Sequence, residues 1–175
     1  QERAVVVSMG TGTAFIWARA GQPVEHLCGS GVGGGTLAGL CSRLCGTRQW
    51  SQIVKLAADG DVNRIDLTVG DLTRNSHPSL PLDITAANFG NISDDASPGD
   101  FAAGVINMVL QSIGTTAVMA CRARSCETVV LTGFMSSLPQ ARSCCDLFTR
   151  LHGVRFIIPE HATHATSIGA ALSIM

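Results

Sequence analysis

Apolar positions along the chain fall into short runs and stripes that predict strands first and helices later. Ala4-Val5-Val6-Val7-Ser8 reads as a buried strand. Residues 14–18 read as a second strand, folded back on the first as a hairpin through the turn Gly10-Thr11-Gly12-Thr13. Helical character is expected from about residue 36 to 44 and again over 50–58, where Ile53, Val54, Leu56 and Ala57 are the apolar positions. The second of these stops at Asp59-Gly60-Asp61. Residues 73–99 are rich in Pro, Asn, Ser and Asp and read as loop with only short ordered pieces. A long helix follows from residue 99 or 100 to 124, then a strand over 128–132, a helix over 138–152, a strand over 154–158 and a small-residue helix over 165–175. Strands alternating with helices in this second half imply an α/β sheet.

The long helix carries no charged residue between Asp100 and Arg122. One face holds Phe101, Val105, Met108 and Val109, and a second holds Ile106, Leu110, Ile113 and Ala117. A surface helix normally buries one apolar stripe, so both faces are expected to be covered. The sheet of its own lobe covers one, and two-fold pairing with a second copy is the expected cover for the other. The stretch is long enough to span a bilayer, yet it contains Asn107, Gln111, Ser112, Thr115 and Thr116. A helix packed by protein on two sides is the better reading, and no membrane association is expected.

Composition narrows the class. The 175 residues are 46% apolar and only 14% charged, against roughly 25% charged in an average soluble domain. Lys plus Arg is 12, Asp plus Glu is 13, and the net charge of −1 gives nucleic acid no electrostatic footing. The seven cysteines are odd in number and include an adjacent pair, which favours reduced thiols in a cytoplasm. Cys41 and Cys45 share a helix face by spacing, but no second Cys or His pair has zinc-site spacing, so no metal site is expected.

Glycines cluster, with six in the eleven residues 29–39. A phosphate chain needs close backbone approach and several N–H donors aimed at one point, which glycine permits. The amides of Gly10-Thr11-Gly12-Thr13 and the Thr11 and Thr13 hydroxyls suit a phosphate, and a tight hairpin explains the same residues. Gly33-Gly34-Gly35-Thr36 stands ahead of a helix, where the N-terminal amides favour an anion, and a packed helix entry explains it too. No Lys follows the glycines, so neither loop is a Walker loop.

With these loops in view, the chain resembles type II pantothenate kinase. The likeness rests on Ser8-Met9-Gly10-Thr11-Gly12-Thr13, Gly29-Ser30-Gly31-Val32-Gly33-Gly34-Gly35-Thr36-Leu37, Ala58-Asp59-Gly60-Asp61, Asp83-Ile84-Thr85-Ala86-Ala87-Asn88-Phe89-Gly90 and Ser167-Ile168-Gly169-Ala170-Ala171-Leu172. It implies an α/β, ribonuclease-H-like lobe of the acetate kinase, sugar kinase, Hsp70 and actin superfamily, a mixed sheet with flanking helices. The implied activity is ATP-dependent phosphorylation of pantothenate, the first committed step towards coenzyme A, by a homodimeric enzyme using ATP and magnesium. The family's Asp-x-Gly-Gly-Thr phosphate and magnesium loop and its general-base Glu do not occur in these residues. Residues 1–175 are therefore expected to form a single lobe, the second of such a kinase, with the first lobe as its missing partner and the magnesium ligands outside this chain.

By that resemblance, Thr11 with Gly10, Gly12 and Thr13 contacts the β- and γ-phosphates, and Gly33, Gly34, Gly35, Thr36, Leu37 and Ala38 line the adenosine. Trp50 stacks on adenine or packs on the helix that it begins. Gly133 belongs to a second adenosine loop. Gly29, Thr85 and Asn88 fall on the pantothenate side, with a turn role for Asn88 equally open. His26 stands where close relatives place an Arg that neutralises the transferring phosphoryl group. Beside Glu25 it serves as a protonated catalytic group or a hydrogen-bond donor, or it is an ordinary strand-edge residue. Two other functions compete: a related ATP-dependent kinase of another small substrate, and a non-catalytic lobe that binds nucleotide or coenzyme A.

Overall fold

A computed structural model of the chain describes residues 3–75 and 81–174. In chain order the elements are β1 (Arg3–Met9), β2 (Thr13–Arg19), β3 (Glu25–Ser30), α1 (Gly34–Leu44), α2 (Trp50–Ala58), β4 (Leu67–Thr68), α3 (Val69–Leu72), β5 (Thr85–Ala87), α4 (Pro98–Ala123), β6 (Thr128–Thr132), α5 (Pro139–His152), β7 (Arg155–Ile157) and α6 (Ala165–Leu172). They pack as two compact units. Unit 1 takes the residues up to Thr36 and those from Val109 onward, and unit 2 is Leu37–Met108. The sequence alone reads as one lobe.

Unit 1 is built on a mixed five-stranded sheet in the order β3-β2-β1-β6-β7. β1 and β2 form the expected antiparallel hairpin, with Val5 opposite Trp17 and Val7 opposite Phe15. Strand geometry sends alternate side chains to opposite faces, and Val5, Val7 and Met9 are fully buried while Val6 and Ser8 are partly exposed. β6 runs parallel to β1, pairing Val5 with Val129 and Val7 with Leu131, and β7 runs parallel to β6. Strand β3 is not foreseen by the sequence reading. Its residues Glu-His-Leu-Cys-Gly-Ser show no alternation, because an edge strand mostly exposed along its length has no inward face to mark. α5 starts on Pro139, where a missing N–H costs nothing, and ends on Gly153 at φ 68°.

The two apolar faces of α4 need no second copy. Ile106, Leu110, Ile113 and Ala117 are between 0% and 4% exposed in the single chain, so the predicted pairing through residues 100–124 loses its motive. Each half of α4 meets side chains of its own unit. In unit 2 Ile65 lies on Gly104, and in unit 1 Leu110, Ile113 and Gly114 face Met9, Leu131 and Phe148. Met119 is the large apolar side chain of α4 that stays exposed.

Unit 2 ties its helices together through backbone contacts. A Cβ on Gly60 would collide with the Gly99 carbonyl, so the end of α2 abuts the start of α4 directly. The buried Asp100 carboxylate accepts from the Asp61 amide at 2.8 Å and from the Ser97 amide at 2.8 Å and hydroxyl at 2.9 Å. β5, inside the stretch 73–99 read mainly as loop, pairs with β4 ahead of it as a two-stranded ribbon, and Thr68 and Asp71 cap α3 reciprocally. Residues 76–80 of that stretch, and Met175 of the predicted last helix, lie outside the described residues.

Candidate functional site

Three glycine-bearing loops of unit 1 meet backbone to backbone. Gly34 and Gly35 donate their amides to the Gly10 and Thr11 carbonyls at 2.9 and 2.8 Å. A Cβ on Gly33 would lie 2.7 Å from the Thr11 carbonyl oxygen, and one on Gly12 would lie 2.7 Å from that of Ser30. Gly133, at φ 90°, would bring its Cβ to 2.5 Å from the Met9 carbonyl oxygen. These glycines are thus required by the fold itself.

The same contacts sort the expected donors. The amides of Gly34 and Gly35, read as pointing at an anion, are spent on the neighbouring loop. Thr13 is buried and gives its hydroxyl proton to the Val32 carbonyl at 2.8 Å, and Thr36 gives its own to the Gly31 carbonyl at 2.9 Å. Neither hydroxyl has a proton left for a phosphate. The amides of Thr11 and Gly12 and the exposed Thr11 hydroxyl make no hydrogen bond among the described residues. A Cβ on Gly10 would have only the Gly12 carbonyl oxygen near it, at 3.8 Å, and one on Gly31 would meet nothing within 4 Å. Packing does not ask for glycine at these two positions.

His26 is exposed on β3 opposite Ile16, and its Nε2 lies 4.0 Å from where a Cβ on Gly29 would stand. Glu25 forms an ion pair with Arg124. Adjacent strand residues face opposite sides, and the Glu25 carboxylate is turned to Arg124.

The other expected residues belong to unit 2. The Leu37 side chain is fully buried, whereas Ala38 and Trp50 are half-buried, Trp50 opening α2. Thr85 lies on β5 and Asn88 just after it, both half-buried. The structure brings these two together on a residue that the sequence reading overlooks. Asp66 is fully buried and accepts from Thr85 Oγ1 at 3.3 Å, Asn88 Nδ2 at 3.0 Å, the Phe89 amide at 2.8 Å and Asn107 Nδ2 at 2.7 Å. A carboxylate set between the apolar Ile65 and Leu67 is the signal that would have found it, since Asp is seldom fully buried without partners. Phe89 holds φ 58°, an uncommon backbone state outside glycine, and its amide is one of the four donors. Among the described residues no three His, Cys, Asp or Glu side chains stand together as metal ligands.

The family known as Fumble matches residues 4–172, and the chain belongs to it. The chain is 30% identical to the type II pantothenate kinase of Staphylococcus haemolyticus over 171 residues, covering 95% of this chain and 64% of that protein. The type II pantothenate kinase of Staphylococcus aureus strain USA300 matches equally, at 30% identity over the same shares. The chain spans about two-thirds of the length of these relatives, 64% by the alignment. The resemblance carried by the glycine loops is borne out.

Proposed function

We propose that this member of the Fumble family carries the nucleotide- and pantothenate-binding part of a kinase that transfers phosphate from ATP to pantothenate. The observation that carries the nucleotide half is the pair Gly10 and Gly31. Both lack a Cβ where the fold leaves room for one, Gly31 after β3 and Gly10 on the loop whose Thr11 hydroxyl and Thr11 and Gly12 amides make no hydrogen bond among the described residues. An uncharged donor cluster at a backbone with nothing projecting from it suits a phosphate chain. ATP, when bound, supplies the phosphoryl group. The residues of unit 1 would hold its phosphates through residues 10–12 and its adenosine through Gly35 and the loop at Gly133.

The donor set divides by unit. In unit 1, His26 would compensate charge on the transferring phosphoryl group. In unit 2, Thr85 and Asn88 form the pantothenate end. The mixed α/β sheet supports a ribonuclease-H-like lobe. Magnesium finds no cluster of ligands among the described residues. The remaining third of the relatives' length is the expected source of magnesium ligands and of the base for the pantothenate hydroxyl.

The test uses Gly31→Val. Titration calorimetry of the chain with ADP is expected to show at least tenfold weaker binding in the variant, while thermal unfolding stays at the wild-type temperature. Equal ADP affinity in the two proteins would refute the loop as a phosphate site. Pantothenate-dependent ADP release is expected only when the rest of the kinase is supplied.

A further inference from the structure

The Thr13 hydroxyl, expected from the sequence to meet a phosphate, is engaged elsewhere. Thr13 opens β2, is 4% exposed, and donates to the Val32 carbonyl at 2.8 Å. A hydroxyl has a single proton, so none is left to donate to a ligand. Val32 stands 19 positions away, in the short segment that leads from β3 to α1.

That segment crosses a gap between two anchors. On one side, the ladder of β2 and β3 ends with Thr13 opposite Ser30. On the other, the Gly34 and Gly35 amides bond the Gly10 and Thr11 carbonyls at 2.9 and 2.8 Å. Between them, residues 31–33 make no backbone hydrogen bond to the facing loop among the described residues. Three side-chain hydrogen bonds act inside the segment. The Val32 amide donates to Ser30 Oγ at 3.1 Å, the Gly33 amide to Thr36 Oγ1 at 3.3 Å, and Thr36 Oγ1 to the Gly31 carbonyl at 2.9 Å. All three are local, so they shape the segment without fixing where it stands. Thr13 supplies that tie, in the middle of the gap.

The tie positions bare backbone against bare backbone. A Cβ on Gly12 would lie 2.7 Å from the Ser30 carbonyl oxygen and 3.9 Å from Gly31 Cα, and one on Gly33 would lie 2.8 Å from Gly12 Cα. Gly31 is thereby held beside Gly12. A loop held in advance in the geometry that binds gains affinity, because less ordering is left for the ligand to impose.

We infer that Thr13 is a positioning residue of the phosphate loop. Without touching the phosphates, its hydroxyl seats Gly31 beside the Thr11 and Gly12 amides and so sets how tightly the loop holds a phosphate chain. This rests on the nucleotide reading above and gives Thr13 a different place in it from the one its sequence suggests.

Thr13→Ala and Thr13→Val both remove the hydroxyl, the second keeping the bulk, and Thr13→Ser keeps the donor without the methyl. ADP affinity by titration calorimetry and hydrogen exchange at the amides of residues 32–35 are measured on the full chain. The two hydroxyl-free variants are expected to bind ADP about fivefold more weakly, the effect of one ordinary hydrogen bond, and Thr13→Ser to stay within about twofold of wild type. Exchange is expected to quicken at Val32 and Gly33 in the hydroxyl-free variants and to stay unchanged at Gly34 and Gly35, whose bonds do not involve Thr13.

Wild-type ADP affinity in either hydroxyl-free variant, or a loss in Thr13→Ser as large as in Thr13→Ala, overturns the inference. Faster exchange at all four amides alike also overturns it, because Thr13 would then serve packing in general. If the wild-type chain binds no ADP, the nucleotide reading falls, and faster exchange confined to Val32 and Gly33 still establishes that Thr13 seats the segment.

Discussion

The ring of Phe148 lies against the backbone of Gly114 so closely that a Cβ at Gly114 would come within 2.6 Å of Phe148 Cε2. Phe148 cannot easily retreat, because it is 5% exposed and packs on Phe156 at a centroid distance of 5.8 Å. Gly114→Ala is therefore expected to destabilise the chain by about 1–3 kcal/mol, the range for overpacking a filled core. Gly39, inside α1 with nothing within 4 Å of where a Cβ would stand, is the control. Gly39→Ala is expected to stabilise by about 0.5–1 kcal/mol through lower backbone entropy in the unfolded chain. Urea unfolding of both variants checks the opposite signs.

Acid should loosen unit 2 at the junction of α2 and α4. The Asp61 amide, then the Ser97 amide, hold the Asp100 carboxyl below the ordinary carboxylate range. A carboxyl lowered on folding stabilises the fold above its unfolded value of about 3.9. That contribution disappears as pH falls through the lower folded value. Asp100→Asn is expected to lower the melting temperature at pH 7 and to lose part of the drop that wild type shows between pH 4 and pH 2. A variant with the wild-type acid profile would remove Asp100 as a cause.

Thiol chemistry should single out one cysteine. Cys28 is exposed on β3. Burial pushes the Cys41, Cys121 and Cys144 thiols up to about 12 and that of Cys145 up to about 11. The thiolate is the reactive form, so these four are almost wholly protonated at neutral pH. Cys121 and Cys126 also both donate to the Thr128 carbonyl, each at 3.3 Å. A short maleimide treatment at pH 7.5 is expected to modify Cys28 first, and Cys28→Ser to remove that first modification. Mass spectrometry of peptides would sink the idea by finding the label mainly at Cys41, Cys121, Cys144 or Cys145.

Regular elements with strong patterns were legible in the sequence. α2 runs over the expected residues 50–58 and β6 over 128–132, because each buries a clear apolar set. β3 was not, since a strand mostly exposed along its length has no pattern to show. The two stripes of α4 were read correctly as apolar, but periodicity does not say whether the cover comes from the same chain or another copy. The glycine loops were located, yet only the backbone distances separate Gly12, Gly33 and Gly133, which the fold requires, from Gly10 and Gly31, which it does not. Asp66 stayed hidden because its partners stand 19 to 41 positions away, beyond any local pattern.

The ends of the five-stranded sheet carry a consequence for how the protein behaves at high concentration. An open sheet offers rows of unpaired backbone groups to any strand of another molecule, which is a route to fibrous aggregates. β7 is only three residues long, Arg155–Ile157, and opens on a charge. β3 is longer, but its ladder to β2 is broken by an irregularity at Phe15/Ile16, and it starts on Glu25. Both margins are thus blunted, one by brevity and one by an interrupted ladder. Straightening β3 by removing that irregularity would trade colloidal tolerance for regularity.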